Sequence, residues 1–293
     1  MKTAIITGGV GFERPISLRS AQAVAGWIPD SVTYTFPEDL EKFLAERSSI
    51  DLVVPMIHGV GGEDGALQGL CEHLNMPYIF SGIEAHAIGL DKVRTKQLAG
   101  LAGVPIARRY ASAQEVTGPV FAKPQFGGST ENSQVCESRE VLQELLDSNP
   151  NTDFIIEDCV RGREFTVGVV EYNGELKAMP PIEIVAKDGL FDFESKYNPE
   201  KLAKEICPAD ITPELDAKLR AQAVTMHEMI GARHLSRSDF IVQEDGTAVF
   251  LEINTIPGMT ATSFIPNFIH HIGLTMKDAL SAWSEEALAR AKR

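Results

Sequence analysis

Apolar residues in this chain come in two spacings, and the two alternate through the first 82 positions. Ala4–Thr7 and Leu52–Ile57 read as buried parallel strands, because strands covered on both faces lose the polar alternation. Helix-spaced segments lie around them. Pro15–Trp27 carries Ile16, Ala23, Val24 and Trp27 on one side, and 38–47 carries Leu40, Phe43 and Leu44. Leu67, Leu70 and Leu74 mark a further helix that stops at Asn75-Met76-Pro77, before a short strand at Tyr78–Phe80. Such alternation predicts a small open α/β domain over 1–82, with parallel strands.

The pattern then changes. Over 83–158 it predicts a helix at 91–102, a strand Pro119–Ala122 delivering Lys123, a polar loop Gln125–Gln134, a helix at 138–147, and a strand Phe154–Ile156 ending in Glu157. Over 159–293 antiparallel signals dominate. Glu164–Glu171 and Glu175–Ile184 flank Asn173-Gly174, a strong hairpin turn. The helix Thr212–Ile230 has Thr212 as N-cap, Pro213 in its first turn and Gly231 just past its end. A second hairpin joins Phe240–Val242 to Val249–Ile253 through Glu244-Asp245-Gly246, and a last helix spans 275–291. The expected fold class is α/β, α+β in part, in three domains: 1–82, 83–158 and 159–293.

Composition narrows the function classes. With 293 residues, 44% hydrophobic and 23% charged, the chain is an ordinary globular protein with a sizeable core. A net charge of −14 argues against a general nucleic-acid or anionic-membrane surface, while leaving room for a local basic pocket. Cys71, Cys136, Cys159 and Cys207 are far apart, so neither a zinc site nor a disulfide framework is indicated. No apolar run approaches the ~18 residues of a membrane span. A cytoplasmic protein without nucleic-acid or membrane partners is expected.

The most informative stretch is Thr247–Thr260. Glu252 and Asn254 are two apart on a strand, so both leave one face of the sheet, and Asp239 on the partner strand can reach that face. Two carboxylates and an amide oxygen form a hard set suited to Mg²⁺ and hence to phosphate chemistry. Pro257 and Gly258 follow, where a glycine leaves its backbone N–H open to an anion. The loop Gln125–Gln134 brings glycines beside Ser129 and Thr130, a second place for phosphate oxygens to meet backbone N–H groups, though without the order of a Walker loop. Gly8-Gly9 after the first strand lacks the dinucleotide fingerprint.

With these placed, the order of motifs resembles the D-alanine:D-alanine ligase family of ATP-grasp enzymes over nearly the whole chain. The pieces are GGVGFERPIS at 8–17, HGVGGEDGALQG at 58–69, LDKVRTK at 90–96, FAKP at 121–124, GREFTVGV at 162–169, SKY at 195–197, SRSDF at 236–240 and LEINTIPGMT at 251–260. The resemblance implies a three-domain ATP-grasp fold and ATP-dependent joining of two D-alanines for peptidoglycan, by a homodimer. By it, Lys92 and Lys123 hold phosphates, Glu157 meets the adenine amino group and Glu164 the ribose hydroxyls. Asp239, Glu252 and Asn254 carry two Mg²⁺ ions, with Mn²⁺ as an alternative. Glu13 holds the first ammonium, linked through Ser129 and Tyr197, and His58 lies nearby. Lys196 reaches the terminal phosphate or the substrate carboxylate, Arg237 and the Gly258 N–H face the reacting carbonyl, and Ser263 contacts the second carboxylate.

The chain departs from the family pattern in three places. Gly128-Ser129-Thr130-Glu131-Asn132-Ser133 stands where the family reads close to GSSxGV, so Asn132 replaces a glycine and Glu131 adds an acid. Asparagine tolerates positive φ better than most residues, which preserves a route to the loop's fold. Gly11 replaces a hydroxyl residue near Glu13, and Pro15 falls where a polar residue is common. A related ligase of different specificity and a non-catalytic ATP-binding relative are the alternatives these departures leave open.

Overall fold

The computed structural model describes residues 1–127, 132–185, 203–260 and 263–291, and its strands form three sheets. The first contains β1 (Thr3–Gly8), β2 (Ser31–Phe36) and β3 (Leu52–Pro55) in the order β2-β1-β3, all parallel. Every residue of β1 and β3 is buried, which is why these segments read as unbroken runs. The strand expected over 52–57 ends at Pro55, and Tyr78 contributes an isolated bridge to Val53 instead of a strand. Helices α1 (Arg14–Trp27), α2 (Leu40–Glu46) and α3 (Ala66–His73) pack around this sheet. The edge strand β2 was not anticipated: only Tyr34 is buried, too few positions for a continuous apolar signal.

Asp91 separates α4 (Ile83–Leu90), which was not anticipated, from α5 (Lys92–Leu101), the helix predicted at 91–102. Its carboxylate caps α5 by accepting from the N–H groups of Val93 and Arg94. Next come β4 (Arg109–Tyr110), β5 (Val120–Pro124), β6 (Gln134–Cys136) and β7 (Phe154–Asp158), an antiparallel sheet in the order β4-β7-β5-β6. Its apolar face packs on α6 (Arg139–Ser148) through Leu142.

The third sheet holds β8 (Arg163–Tyr172), β9 (Glu175–Ala178), β10 (Ile182–Val185), β11 (Lys204–Ile206), β12 (Leu235–Val242) and β13 (Ala248–Asn254). The single strand expected over 175–184 is divided at Met179-Pro180-Pro181, since two successive prolines remove two ladder donors. Both pieces still pair with β8. Helix α7 (Pro213–Met229) covers one face together with α5, around Phe165, Phe240 and Phe250. Helices α8 (Phe264–His271) and α9 (Met276–Ala291) cover the other.

There Trp283 of α9 stacks on His234, meets Phe80 edge-on, and donates its indole N–H to the Glu171 carbonyl at 2.7 Å. The same core takes in Ile5, Val54 and Met56, so the first and third sheets share one apolar interior. Among the described residues, no helix is long and apolar enough to cross a membrane.

Candidate active site

Strands β12 and β13 pair so that Asp239 stands opposite Glu252 and Arg237 opposite Asn254. All four project on one face, because side chains two apart on a strand share a side. Asp239 lies within its strand: β12 starts at Leu235, ahead of the Phe240–Val242 run read from sequence, and a bulge follows at Asp239/Phe240. Its Oδ1 accepts from the Thr166 hydroxyl at 2.6 Å and from Arg237 Nε at 3.0 Å. Its Oδ2 accepts from a second Arg237 nitrogen at 2.9 Å and from Asn254 Nδ2 at 3.4 Å. Among the described residues, no three of histidine, cysteine, aspartate and glutamate converge as a cation cage. Asp239, Glu252 and Asn254 present two carboxylates and an amide on one face, hard oxygen groups of the kind a divalent cation takes while keeping other positions for water or phosphate.

Lysines approach from the neighbouring elements. Lys92, at the start of α5, donates to the Gly127 carbonyl and lies 3.8 Å from Glu252. Burial, ahead of its charged neighbours, pulls the Lys92 ammonium below the usual lysine value. Lys123 at the end of β5 and Lys96 on α5 both face Glu157, at 3.8 and 2.7 Å. The Lys96 hydrogen bond is directed at Glu157 Oε2. Oε1 is in ionic contact with the same ammonium but has no hydrogen-bond donor among the described residues. That ammonium, 2.7 Å away, compensates the charge, and the carboxylate oxygen keeps capacity to accept a ligand N–H.

From the first sheet come Glu13, the N-cap residue of α1, and the glycine-rich loop 58–65. Gly59 sits so close to Glu13 that a Cβ there would stand 2.9 Å from Glu13 Oε2. His58 is buried, with Nδ1 2.8 Å from the Ile256 carbonyl and Nε2 3.1 Å from the Ser20 hydroxyl. Ser263 stands at the N-cap position of α8 beside Gly258, its hydroxyl turned back to accept from the Thr260 N–H at 3.0 Å. A pocket opens where the pieces meet, lined by Glu13, Glu63, Lys92, Gly127, Glu252 and Asn254.

The structure thus brings Glu13, Lys92, Glu252 and Asn254 to one cavity, with Asp239 and Arg237 adjoining through the β12/β13 pair. Glu164 is half-buried on β8, opposite Ile241. Ser129, Lys196 and Tyr197 lie outside the described residues. Asn132, at the edge of the altered loop, has φ +53°, the left-handed conformation its substitution for glycine calls for. Sequence reasoning assigned no role to Ser20, Glu63, Lys96 or Thr166. Lys96 is four residues from Lys92, on the same side of α5, a spacing that signals a shared surface. Glu63 lies inside the quoted glycine-rich motif, but nothing local distinguishes it from Asp64.

A family model described as "D-ala D-ala ligase C-terminus" matches residues 105–282, and "D-ala D-ala ligase N-terminus" matches 29–81. A D-alanine–D-alanine ligase of Halalkalibacterium halodurans is 34% identical over 99% of this chain and 100% of its own length. The chain belongs to the D-alanine–D-alanine ligase family. Solved members share its fold. A Bacillus anthracis D-alanine–D-alanine ligase complexed with ATP superposes with a TM-score of 0.82 at 22% identity, covering 100% of this chain and 99% of that one. The VanG D-Ala:D-Ser ligase of Enterococcus faecalis gives 0.80 at 27% identity, covering 98% and 99%.

Proposed function

We propose that this chain is an ATP-dependent ligase that joins two D-alanines into D-alanyl-D-alanine for peptidoglycan precursors. The convergence of Glu13, Lys92, Glu252 and Asn254 on one pocket carries this reading. It supplies an ammonium acceptor, a phosphate-binding cation and a hard oxygen set within one cavity. ATP lies between the second and third sheets. Glu157 accepts from the adenine amino group, and Glu164 takes the ribose hydroxyls. Lys92 and Lys123 hold phosphate oxygens.

The carboxylate of the first alanine, its ammonium on Glu13, attacks the terminal phosphorus; the bond to the bridging oxygen breaks and ADP leaves. The amine of the second alanine, having lost a proton, attacks the acylphosphate carbonyl. The tetrahedral adduct collapses by breaking its bond to phosphate. Arg237 and the Gly258 N–H stabilise the oxyanion of that adduct, a contribution of a few kcal/mol for each well-aimed donor. Ser263 holds the second carboxylate. Asp239, Glu252 and Asn254 would hold two Mg²⁺ ions, which would supply charge neutralisation between the anionic reactants. Ser129, Lys196 and Tyr197 complete the site in this proposal, within a homodimer.

The test is phosphate release from ATP across D-alanine, D-serine, D-lactate and the L-enantiomers, with Glu252→Gln beside the wild type. D-Alanine-dependent release is expected, lost in the variant while its thermal midpoint stays within a few degrees. ATP turnover indifferent to D-alanine would remove the ligase reading. Preference for D-serine or D-lactate as second substrate would shift it to a ligase of different specificity.

A further inference from the structure

The loop 255–260, between β13 and α8, is held by side chains of α1 and the loop 58–65, far away in sequence. Glu63 is buried, with 7% of its surface exposed. Its Oε1 accepts from the N–H of Ile256 at 2.7 Å, the N–H of Thr255 at 3.1 Å and the Thr255 hydroxyl at 3.3 Å. Its Oε2 accepts from the Gly59 N–H at 2.9 Å. His58 binds the other polar group of Ile256: a carbonyl cannot donate, so His58 Nδ1 carries the proton in that 2.8 Å contact. Nε2 lies 3.1 Å from the Ser20 hydroxyl, whose oxygen accepts from the Met259 N–H at 3.2 Å. Both main-chain polar groups of Ile256 and the N–H of Met259 are therefore fixed, and Gly258 lies between them.

We propose that Glu63 is a positioning residue that sets the distance between the Glu13 contact of the first substrate and the Gly258 N–H, with Ser20 and His58 as its partners. This rests on the ligase reading above. One carboxylate oxygen holds Gly59, which abuts Glu13; the other holds the entry to the Gly258 loop. The two ends of one substrate, its ammonium and its carbonyl, are thus referred to a single buried group. Burying a carboxylate disfavours its charge, and burial does push the Glu63 carboxyl above the usual range. Its N–H contacts offset that cost, and an apolar residue could not make them. A backbone donor stabilises an oxyanion only when it is held in place beforehand, and a displacement near 1 Å can cost on the order of 100-fold in rate.

The experiment compares Glu63→Gln and Ser20→Ala with the wild type by amide hydrogen exchange over 255–260, steady-state kinetics and thermal unfolding. In Glu63→Gln, exchange in that segment should quicken and kcat fall about 10- to 100-fold, with the KM for ATP within about twofold. Ser20→Ala, which keeps the carboxylate, should show the same split on a smaller scale even if Glu63→Gln folds poorly. Unchanged exchange in both variants overturns the proposal, as does a KM for ATP that rises in step with the fall in kcat. Exchange does not depend on turnover. A wild type without D-alanine-dependent turnover would defeat the ligase reading while leaving the loop measurement interpretable.

Discussion

Replacing Lys96 by methionine removes the nearer of two cations from a carboxylate that has no water around it. Nζ is 2.7 Å from Glu157 and Lys123 is 3.8 Å away, and the Lys96 and Glu157 side chains are 5% and 3% exposed. At an effective dielectric of about 20, these separations correspond to attractions of roughly 6 and 4 kcal/mol, so more than half of the compensation for the buried Glu157 charge is lost. The desolvation of that charge remains. Breaking one side of a buried pair costs about 3–5 kcal/mol, and Lys123 can only shift inward to recover part of it. Lys96→Met should therefore lose about 3 kcal/mol or more in urea unfolding at pH 7. That pH lies below the value of about 8 to which burial, and then Lys123, lower the Lys96 ammonium, so Lys96 is charged there. Adding Glu157→Gln removes the stranded charge, and the double variant should regain most of the loss. A single-variant loss below about 1 kcal/mol, or a double variant no more stable than Lys96→Met, would refute this account.

Two other perturbations test the fold that presents the site. Burial lowers His86 and His234 to about 3 and His227 to about 4 from the usual 6.5, so each stays neutral in the folded chain while the unfolded chain takes up its proton. Stability should be complete above pH 6.5 and decline as pH falls toward 3–4, by about 2 kcal/mol per histidine at pH 5; a flat unfolding profile between pH 7 and 5 would contradict it. At Gly168 a Cβ would lie 2.4 Å from the Phe268 ring. Gly168→Ala should cost about 1–3 kcal/mol in denaturant unfolding, partly restored by Phe268→Leu; no loss would mean that α8 yields freely.

The parts of this protein legible in its sequence are those whose partners are near in sequence or whose spacing has a fixed period. Asp239, Glu252 and Asn254 share a hairpin, and the two-residue period of a strand places Glu252 and Asn254 on one face. The buried run of β3 and the capped, proline-started α7 were legible for the same reason. Short or half-exposed elements were not. β2 buries one residue, and β11 is three residues long, too short for a period to emerge. Helix α4 is apolar around most of its circumference between Gly82 and Asp91, so it shows no amphipathic stripe. Prolines at 180–181 were visible in the sequence, yet the strong Asn173-Gly174 turn outweighed them in extending the strand to 184.

The illegible part of the site is its alignment. Glu63 and Asp64 are adjacent acids in one glycine-rich loop, and composition cannot tell that Glu63 turns inward to Ile256 while Asp64 accepts from the N–H groups of Gly61 and Ala66. What separates them is the position of a loop that follows β13, which depends on how the first and third sheets pack about Trp283 and Phe80. Lys96 is a similar case: its spacing from Lys92 places both on one side of α5, but only the docking of β7 decides that Lys96 meets Glu157 while Lys92 meets Gly127. Residues proposed to touch substrate carry their chemistry in their type and local spacing. Residues that set distances between those contacts acquire their role from tertiary packing, so a change at Ser20 or Glu63 should alter alignment while leaving the residues proposed to touch substrate unchanged.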